Sequence, residues 1–168
     1  TEYRHVTKNS YSTLDASFNQ GYKKTSNKKT DGSRNHIFAR SDIDLDFETF
    51  DESKLSINFQ KTSNDTYLKV HDINSKIMGS NTTMNSSIAM SFSKNNSDLD
   101  INMDVYEDLS KTEERYEFVT PNYNYENKLS ISEELGSLNF QSRGYHKIYE
   151  TNKKQTKLIN DFHWKSND

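Results

Sequence analysis

Three aspartates at alternate positions, Asp42, Asp44 and Asp46, are the first residues in this chain whose type and spacing could do chemistry. They resemble the opening of a calcium loop. An EF-hand needs Gly after its third acid and a Glu at the loop's end. Phe47 stands where that Gly would be. Apolar Ile43 and Leu45 lie between the acids, so the run reads as a β-strand with three carboxylates on one face, successive ones roughly 6.6 Å apart. Asp98, Asp100 and Asp104 read the same way. His5, His36, His71, His146 and His163 are scattered and share no metal-ligand spacing, which makes them exposed or lumen-facing side chains. Glu133 and Glu134 fall in an expected turn and do not form an acid–base pair. There is no G-x-S-x-G, Gly-rich phosphate loop or H-E-x-x-H. The expectation is therefore no enzyme, no catalytic residues, no metal and no cofactor. Asn-x-Ser/Thr triplets begin at Asn64, Asn81, Asn85 and Asn95 and would matter only in a eukaryotic secretory context.

What must position these residues is written in period two. Ile43, Leu45 and Phe47 alternate with Asp42, Asp44 and Asp46. Leu55, Ile57 and Phe59 alternate with Ser56, Asn58 and Gln60. Ile88, Met90 and Phe92 alternate with Ala89 and Ser91, and Leu99, Ile101, Met103 and Val105 with Asp100, Asn102 and Asp104. Successive strand side chains point to opposite faces, so each segment has one apolar and one polar face. The expected fold is all-β, an antiparallel up-and-down meander of about eight long strands near 10–22, 36–50, 54–68, 82–93, 98–109, 114–126, 137–149 and 155–165. Pro121, the chain's one proline, removes a ladder donor and marks a bend. Connections alternate between long (Lys23–Asn35, Asp65–Asn81) and short (Asp51–Ser53, Lys94–Ser97). Asn127–Gly136 breaks that rhythm by being long.

Composition narrows the class. The 168 residues carry 30% apolar side chains and a mean hydropathy of -1.07, values that by themselves point to disorder. Against that stand a net charge of only -3, one Pro, and 12% aromatics with ten Tyr and nine Phe. Few but large and regularly spaced apolar residues describe a sheet with one greasy and one wet face. The absence of Cys excludes a disulfide framework or thiolate metal site. The charge balance gives no nucleic-acid footprint. No run of 18 apolar residues exists, so a transmembrane helix is excluded, whereas a transmembrane strand is not. The first residue is Thr1, and the chain reads as one segment, residues 1–168, excerpted from a longer protein.

Three runs resemble one family. F-Q-K-T-S-N-D-T-Y (Phe59–Tyr67), R-Y-E-F-V-T-P-N-Y (Arg115–Tyr123) and G-S-L-N-F-Q-S-R-G-Y (Gly136–Tyr145), the last followed by L-I-N-D-F from Leu158, are similar in order and spacing to the β-barrel of LptD. This is the lipopolysaccharide-assembly outer-membrane family, also called the organic solvent tolerance family. The resemblance covers roughly residues 36–165. Thr120 stands where the family usually has Leu before the Pro. The resemblance implies a wall segment of an outer-membrane translocon that inserts lipopolysaccharide into the outer leaflet of a Gram-negative cell. It also implies a plug lipoprotein, LptE, and a periplasmic Lpt bridge as partners. On that reading Ile43, Leu45, Phe47, Leu55, Ile57, Phe59, Ile88, Met90, Phe92, Leu99, Ile101 and Met103 face lipid, and Asp42, Asp44, Asp46, Asn58, Asp100, Asn102 and Asp104 face the lumen. Other readings of the same pattern are a porin or uptake receptor, a soluble lipocalin-like barrel with the apolar set turned inward round a ligand, and an extracellular β-sandwich adhesin.

Overall fold

The computed structural model describes residues 1–20, 33–132 and 136–166. It is all-β. Nine strands follow one another as a single antiparallel sheet in sequence order: β1 (Glu2–Val6), β2 (Ser10–Gln20), β3 (Ser33–Asp44), β4 (Glu52–Thr62), β5 (Thr83–Lys94), β6 (Ser97–Asp108), β7 (Tyr116–Ser132), β8 (Gly136–Tyr149) and β9 (Lys153–Lys165). One helical turn, α1 (Tyr67–Val70), lies between β4 and β5. Strands β2 to β9 are 11 to 17 residues long. At about 3.3 Å per residue, 11 residues reach ~36 Å.

Register decides which side chains share a face, because directly paired residues point the same way. One row runs Ile43, Leu55, Met90, Ile101, Tyr123, Gly144, Leu158 across seven strands. The row beside it, on the opposite face, runs Asp44, Lys54, Ser91, Asp100, Asn124, Arg143, Ile159. The period-two segments are thus aligned with one another and not merely amphipathic one by one.

Several boundaries differ from the sequence reading, each for a local reason. A ninth strand, β1, pairs with Tyr11–Asp15 although its own residues barely alternate. β3 stops at Asp44, so Leu45, Asp46 and Phe47 lie in the turn and not on a strand face. Asp46 adopts φ +50, and a left-handed residue ends an extended run. Its carboxylate accepts from the Asn9 amide instead of standing in line with Asp42 and Asp44. β4 ends at Thr62, and Tyr67 belongs to α1, whose entry is shaped by the Asn64 side chain accepting from Thr66 N–H at 2.9 Å. The stretch expected as a long connection from Asn127 is mostly strand, since β7 continues to Ser132. Glu133 and Glu134, and most of the connection expected at Lys23–Asn35, lie outside the described residues. Pro121 follows a cis peptide and sits in a register shift between Val119 and Asn122, the bend its missing N–H foretells.

The connections alternate between two ends, and the two longest share one of them. One end carries residues 7–9, 45–51, 95–96 and 133–135. The other carries 21–32, 63–82, 109–115 and 150–152. We call these the short-turn and long-connection ends. Asn95, with φ +50, makes the two-residue β5–β6 turn, a conformation Asn tolerates well.

Two glycines are required by close approach. Gly136 has φ +83, and a Cβ there would meet Lys165 O at 2.0 Å. At Gly144 a Cβ would lie 2.7 Å from Lys157 O and 3.1 Å from the ring of Tyr123, which pairs with it and covers it. Gly144→Val is expected to destabilise the folded sheet by about 1–3 kcal/mol through overpacking. Urea titration in detergent micelles checks this, and an unchanged midpoint would refute it.

Candidate functional site

The apolar face is the larger of two features that could do something. Every large apolar side chain exposed among the described residues stands on it, apart from Val6, Tyr11, Phe47 and Val70. Ile88 is 45% exposed and Phe162 70%. Soluble monomers rarely leave more than a few hundred Å² of contiguous apolar surface open. Of the residues expected on this face, Ile43, Leu55, Ile57, Phe59, Ile88, Met90, Phe92, Leu99, Ile101 and Met103 share it. Leu45 and Phe47 do not, because their strand has ended.

This face is graded along the strands. Across β4 to β6 its middle rows are aliphatic, Ile57, Ile88 and Met103 in one and Leu55, Met90 and Ile101 in the next, the second continuing into Tyr123 on β7. Rings gather toward the ends. At the short-turn end Phe50 packs on Phe92 at 4.9 Å and Phe140 on Phe162 at 4.8 Å, with Tyr125 6.2 Å from Phe140. Trp164 extends that cluster along β9. At the long-connection end Tyr116 stacks on Phe118 at 6.2 Å, and Phe18 lies near the end of β2. The sequence reading saw the alternation but not this grading, which becomes visible only once register places the rings at common levels.

The opposite face carries the polar set. Asp42, Asp44, Asn58, Asp100, Asn102 and Asp104 all lie there by register, whereas Asp46 sits in its turn. Charge is unevenly spread. β6 presents Asp98, Asp100, Asp104 and Asp108, and β8 and β9 present Arg143, Lys147, Lys153, Lys157 and Lys165 with Asp161. Arg143 and Asp161 pair at 3.2 Å, and Lys147 reaches back to Glu117 at 2.7 Å. At the long-connection end a cleft of about 340 Å³ opens among Tyr106, Asp108, Glu117 and Tyr149. Glu114 borders it, and the Thr151 hydroxyl bonded to its carboxyl holds that group below the usual glutamate range.

Part of this polar face is covered by the 63–82 connection. Leu68 is 1% exposed and Tyr67 5%. Both pack with Phe38, fully buried on the polar side of β3, and Ile73, Ile77 and Met78 close round them. Beneath lies a polar cluster. His36, 2% exposed, has Nδ1 3.2 Å from Ser17 Oγ and Nε2 3.4 Å from Asp15 Oδ1, and the Tyr67 hydroxyl bonds Ser17. Asp, His and Ser are the types used in acyl transfer. Here the Ser hydroxyl is already engaged by Tyr67 and the imidazole is buried under its ring, at 5.7 Å. The arrangement clamps a loop. His36 was expected to be exposed or to face a lumen; it is buried because α1 folds over it.

A second set of contacts pins the same loop. Beyond Asn58–Ser87 the β4–β5 ladder opens. The Gln60 side chain enters the gap, accepting from Asn85 N–H at 3.1 Å and donating to Ile77 O at 3.0 Å. Arg115 grips Asp65 with both terminal nitrogens, at 2.6 and 3.3 Å. It also reaches Glu107 at 3.2 Å, a buried carboxylate that takes further donors from Lys61 and Tyr116, each at 2.8 Å. A buried charge is tolerated when paired and hydrogen-bonded in this way. None of these partners was legible as a motif, since each depends on residues brought together from strands far apart in sequence.

Among the described residues no three His, Asp or Glu side chains stand together as metal ligands, and no helix is long and apolar enough to cross a membrane. Compared with protein-family models, curated proteins and solved structures, the chain matches none.

Leu68→Ala is expected to cost about 2–5 kcal/mol, the usual penalty for emptying a buried leucine site. The loss should be local. Hydrogen exchange should accelerate across residues 66–78 and stay unchanged in β8 and β9. Uniform acceleration through the sheet would show that the loop is not a separate cover.

Proposed function

We propose that this chain is a run of wall from a transmembrane β-barrel of the Gram-negative outer membrane. The observation that carries the reading is the exposed apolar face, aliphatic in the middle and ringed toward both ends, backed by a polar face. Lipid-embedded barrels have this cross-section: an apolar band ~25 Å tall flanked by aromatic girdles, with a polar interior. An 11-residue strand of ~36 Å, tilted by about 45°, rises ~25 Å. The two longest connections, 21–32 and 63–82, share one end, which fits an outer side, with the opposite end periplasmic. Among readings of the same pattern, a lipocalin-like barrel would turn the apolar set into an enclosed ligand cavity. Here that set is exposed, and the loop that folds over the sheet lies on the polar side.

The finer proposal is that the barrel inserts lipopolysaccharide into the outer leaflet, with a plug lipoprotein such as LptE and a periplasmic bridge as partners. It rests on the three residue runs that resemble the LptD family. A porin or uptake receptor would share the wall and differ in cargo. A photo-crosslinker at Asn102, on the polar face, is expected to capture lipopolysaccharide in cells. Retained membrane insertion without that adduct would reject the cargo and keep the wall.

Circular dichroism and size-exclusion chromatography with and without detergent test the wall itself. The chain should gain ordered β-structure only with detergent or lipid. A sharp monomer peak with cooperative melting in plain buffer would defeat the reading. Within the assembled barrel, Ile101→Arg should cost about 2–4 kcal/mol as a charge placed at mid-depth on a lipid face, and Asp100→Arg on the polar face much less.

A further inference from the structure

At the short-turn end one row of the apolar face is polar. Paired residues there run Lys94, Ser97 and Asn127 across β5, β6 and β7. The next row inward on the same face is Phe92, Leu99 and Tyr125, and the one after it Met90, Ile101 and Tyr123. A cleft of about 560 Å³ opens over the first two of these rows. Two of its polar groups are unspent. Asn127 Nδ2 donates to Ser97 Oγ at 2.7 Å and to the Tyr125 hydroxyl at 3.0 Å. Those two bonds fix the amide and leave its Oδ1 buried with no donor, a costly state for an acceptor. Lys94 is exposed, and among the described residues no ion pair holds it. The acids beside the cleft are engaged elsewhere. Asp98, on the opposite face, takes the Ser93 hydroxyl at 2.7 Å, and Asp51 takes the Asn95 N–H at 2.6 Å. Lys128 borders the cleft from the opposite face and lies 3.5 Å from Glu126.

We infer that this cleft binds one membrane lipid, a glycerophospholipid whose headgroup carries a primary ammonium, in the leaflet that meets the short-turn end. The inference rests on the transmembrane reading and goes further by giving the wall a headgroup preference at a named place. The lipid's ammonium donates to Asn127 Oδ1, and its phosphate accepts from Lys94. Neighbouring strands lie about 4.8 Å apart, so these two residues straddle Ser97 with Cα atoms roughly 10 Å apart. The long Lys94 side chain spans enough of that gap to meet a phosphate next to the ammonium. The rings of Phe92 and Tyr125 then stand at the depth of the glycerol, and the acyl chains run over Leu99, Met90 and Ile101. A quaternary ammonium has no N–H to give Asn127. A glycerol headgroup offers only neutral hydroxyls, which make weaker bonds than a charged donor. Plain hydrocarbon would meet neither Lys94 nor Asn127.

The test titrates the full chain in detergent with phosphatidylethanolamine, phosphatidylcholine and phosphatidylglycerol in turn and counts bound lipid by native mass spectrometry. Phosphatidylethanolamine should bind at one site, about tenfold or more tightly than phosphatidylcholine, the worth of one hydrogen bond to a charged group. Asn127→Leu should bring the two to parity. Lys94→Gln should weaken both alike and leave their ratio unchanged, because both carry the phosphate. The comparison of the three lipids on the unaltered chain decides even if Asn127→Leu fails to fold. Equal affinity for the ethanolamine and choline lipids, a preference that survives Asn127→Leu, or tightest binding of phosphatidylglycerol would overturn the inference and leave the transmembrane reading standing. A folded monomer without detergent would defeat that reading instead.

Discussion

A one-residue slip at any of the eight strand pairings would carry every side chain beyond it to the opposite face. Nothing else in this molecule survives such a slip. The apolar row from Ile43 to Leu158 would break into patches, and aspartates from β6 would stand among Met90 and Tyr123. Backbone hydrogen bonding supplies the ladder but not its phase. The phase comes from matched side chains: Leu55 on Met90, Met90 on Ile101, Ile101 on Tyr123. Where one position lacks a side chain, its neighbour's ring covers it. Tyr123 lies across Gly144, the one position in that row with no side chain of its own.

One departure from a regular ladder, the opening of the β4–β5 pair, falls at the long-connection end and serves the 63–82 loop. Beyond Asn58 the β4–β5 pairing gives way to side-chain bonds from Gln60, which meet the freed amide of Asn85 while holding Ile77 O of the loop. A buried amide without a partner would cost about 1–3 kcal/mol; one glutamine removes that cost and anchors the cover. Arg115 does the same electrostatically, joining Asp65 of the loop to buried Glu107 of the wall. The sheet is opened at the place where the loop needs purchase, and Gln60 meets the freed Asn85 N–H there.

The fold was legible because strand alternation is a local property, and Asp42 to Phe59 or Ile88 to Met103 display it without reference to anything distant. What stayed hidden depended on relations between strands. β1 has too little alternation to announce itself and is held by its partner. Asp46 looks like the third member of a strand stripe, but its positive φ comes from the turn and its bond to Asn9. The Asp15–Ser17–His36–Tyr67 cluster is invisible in one dimension because Ser17 and His36 meet only through the β2–β3 register. The grading from aliphatic rows to rings is likewise a sum over strands. Leu109 is read from sequence as the last residue of the 98–109 strand, but it lies just past β6 and is buried with Tyr67 and Leu68 of the loop.

A mean hydropathy of -1.07 describes this chain poorly, because it averages two faces that meet different surroundings. In a two-layer soluble protein half the strand positions are apolar and face another layer, which brings apolar residues of its own. Here the described residues supply one layer. The polar positions have no core to match and can be as hydrophilic as water permits, which lowers the mean. The apolar positions then have to be covered by something other than protein drawn from these strands. Among the described residues the internal cover is the 63–82 loop, whose Tyr67 and Leu68 pack with Phe38, Met84 and Leu109 at the long-connection end and leave the middle of the apolar face open. Among the described residues Ile88, Met103 and Phe162 stay open on the apolar face, which is the arrangement the proposed transmembrane reading requires. On the proposed transmembrane reading the same arithmetic explains how so few apolar residues suffice, because lipid would replace the second layer of the core.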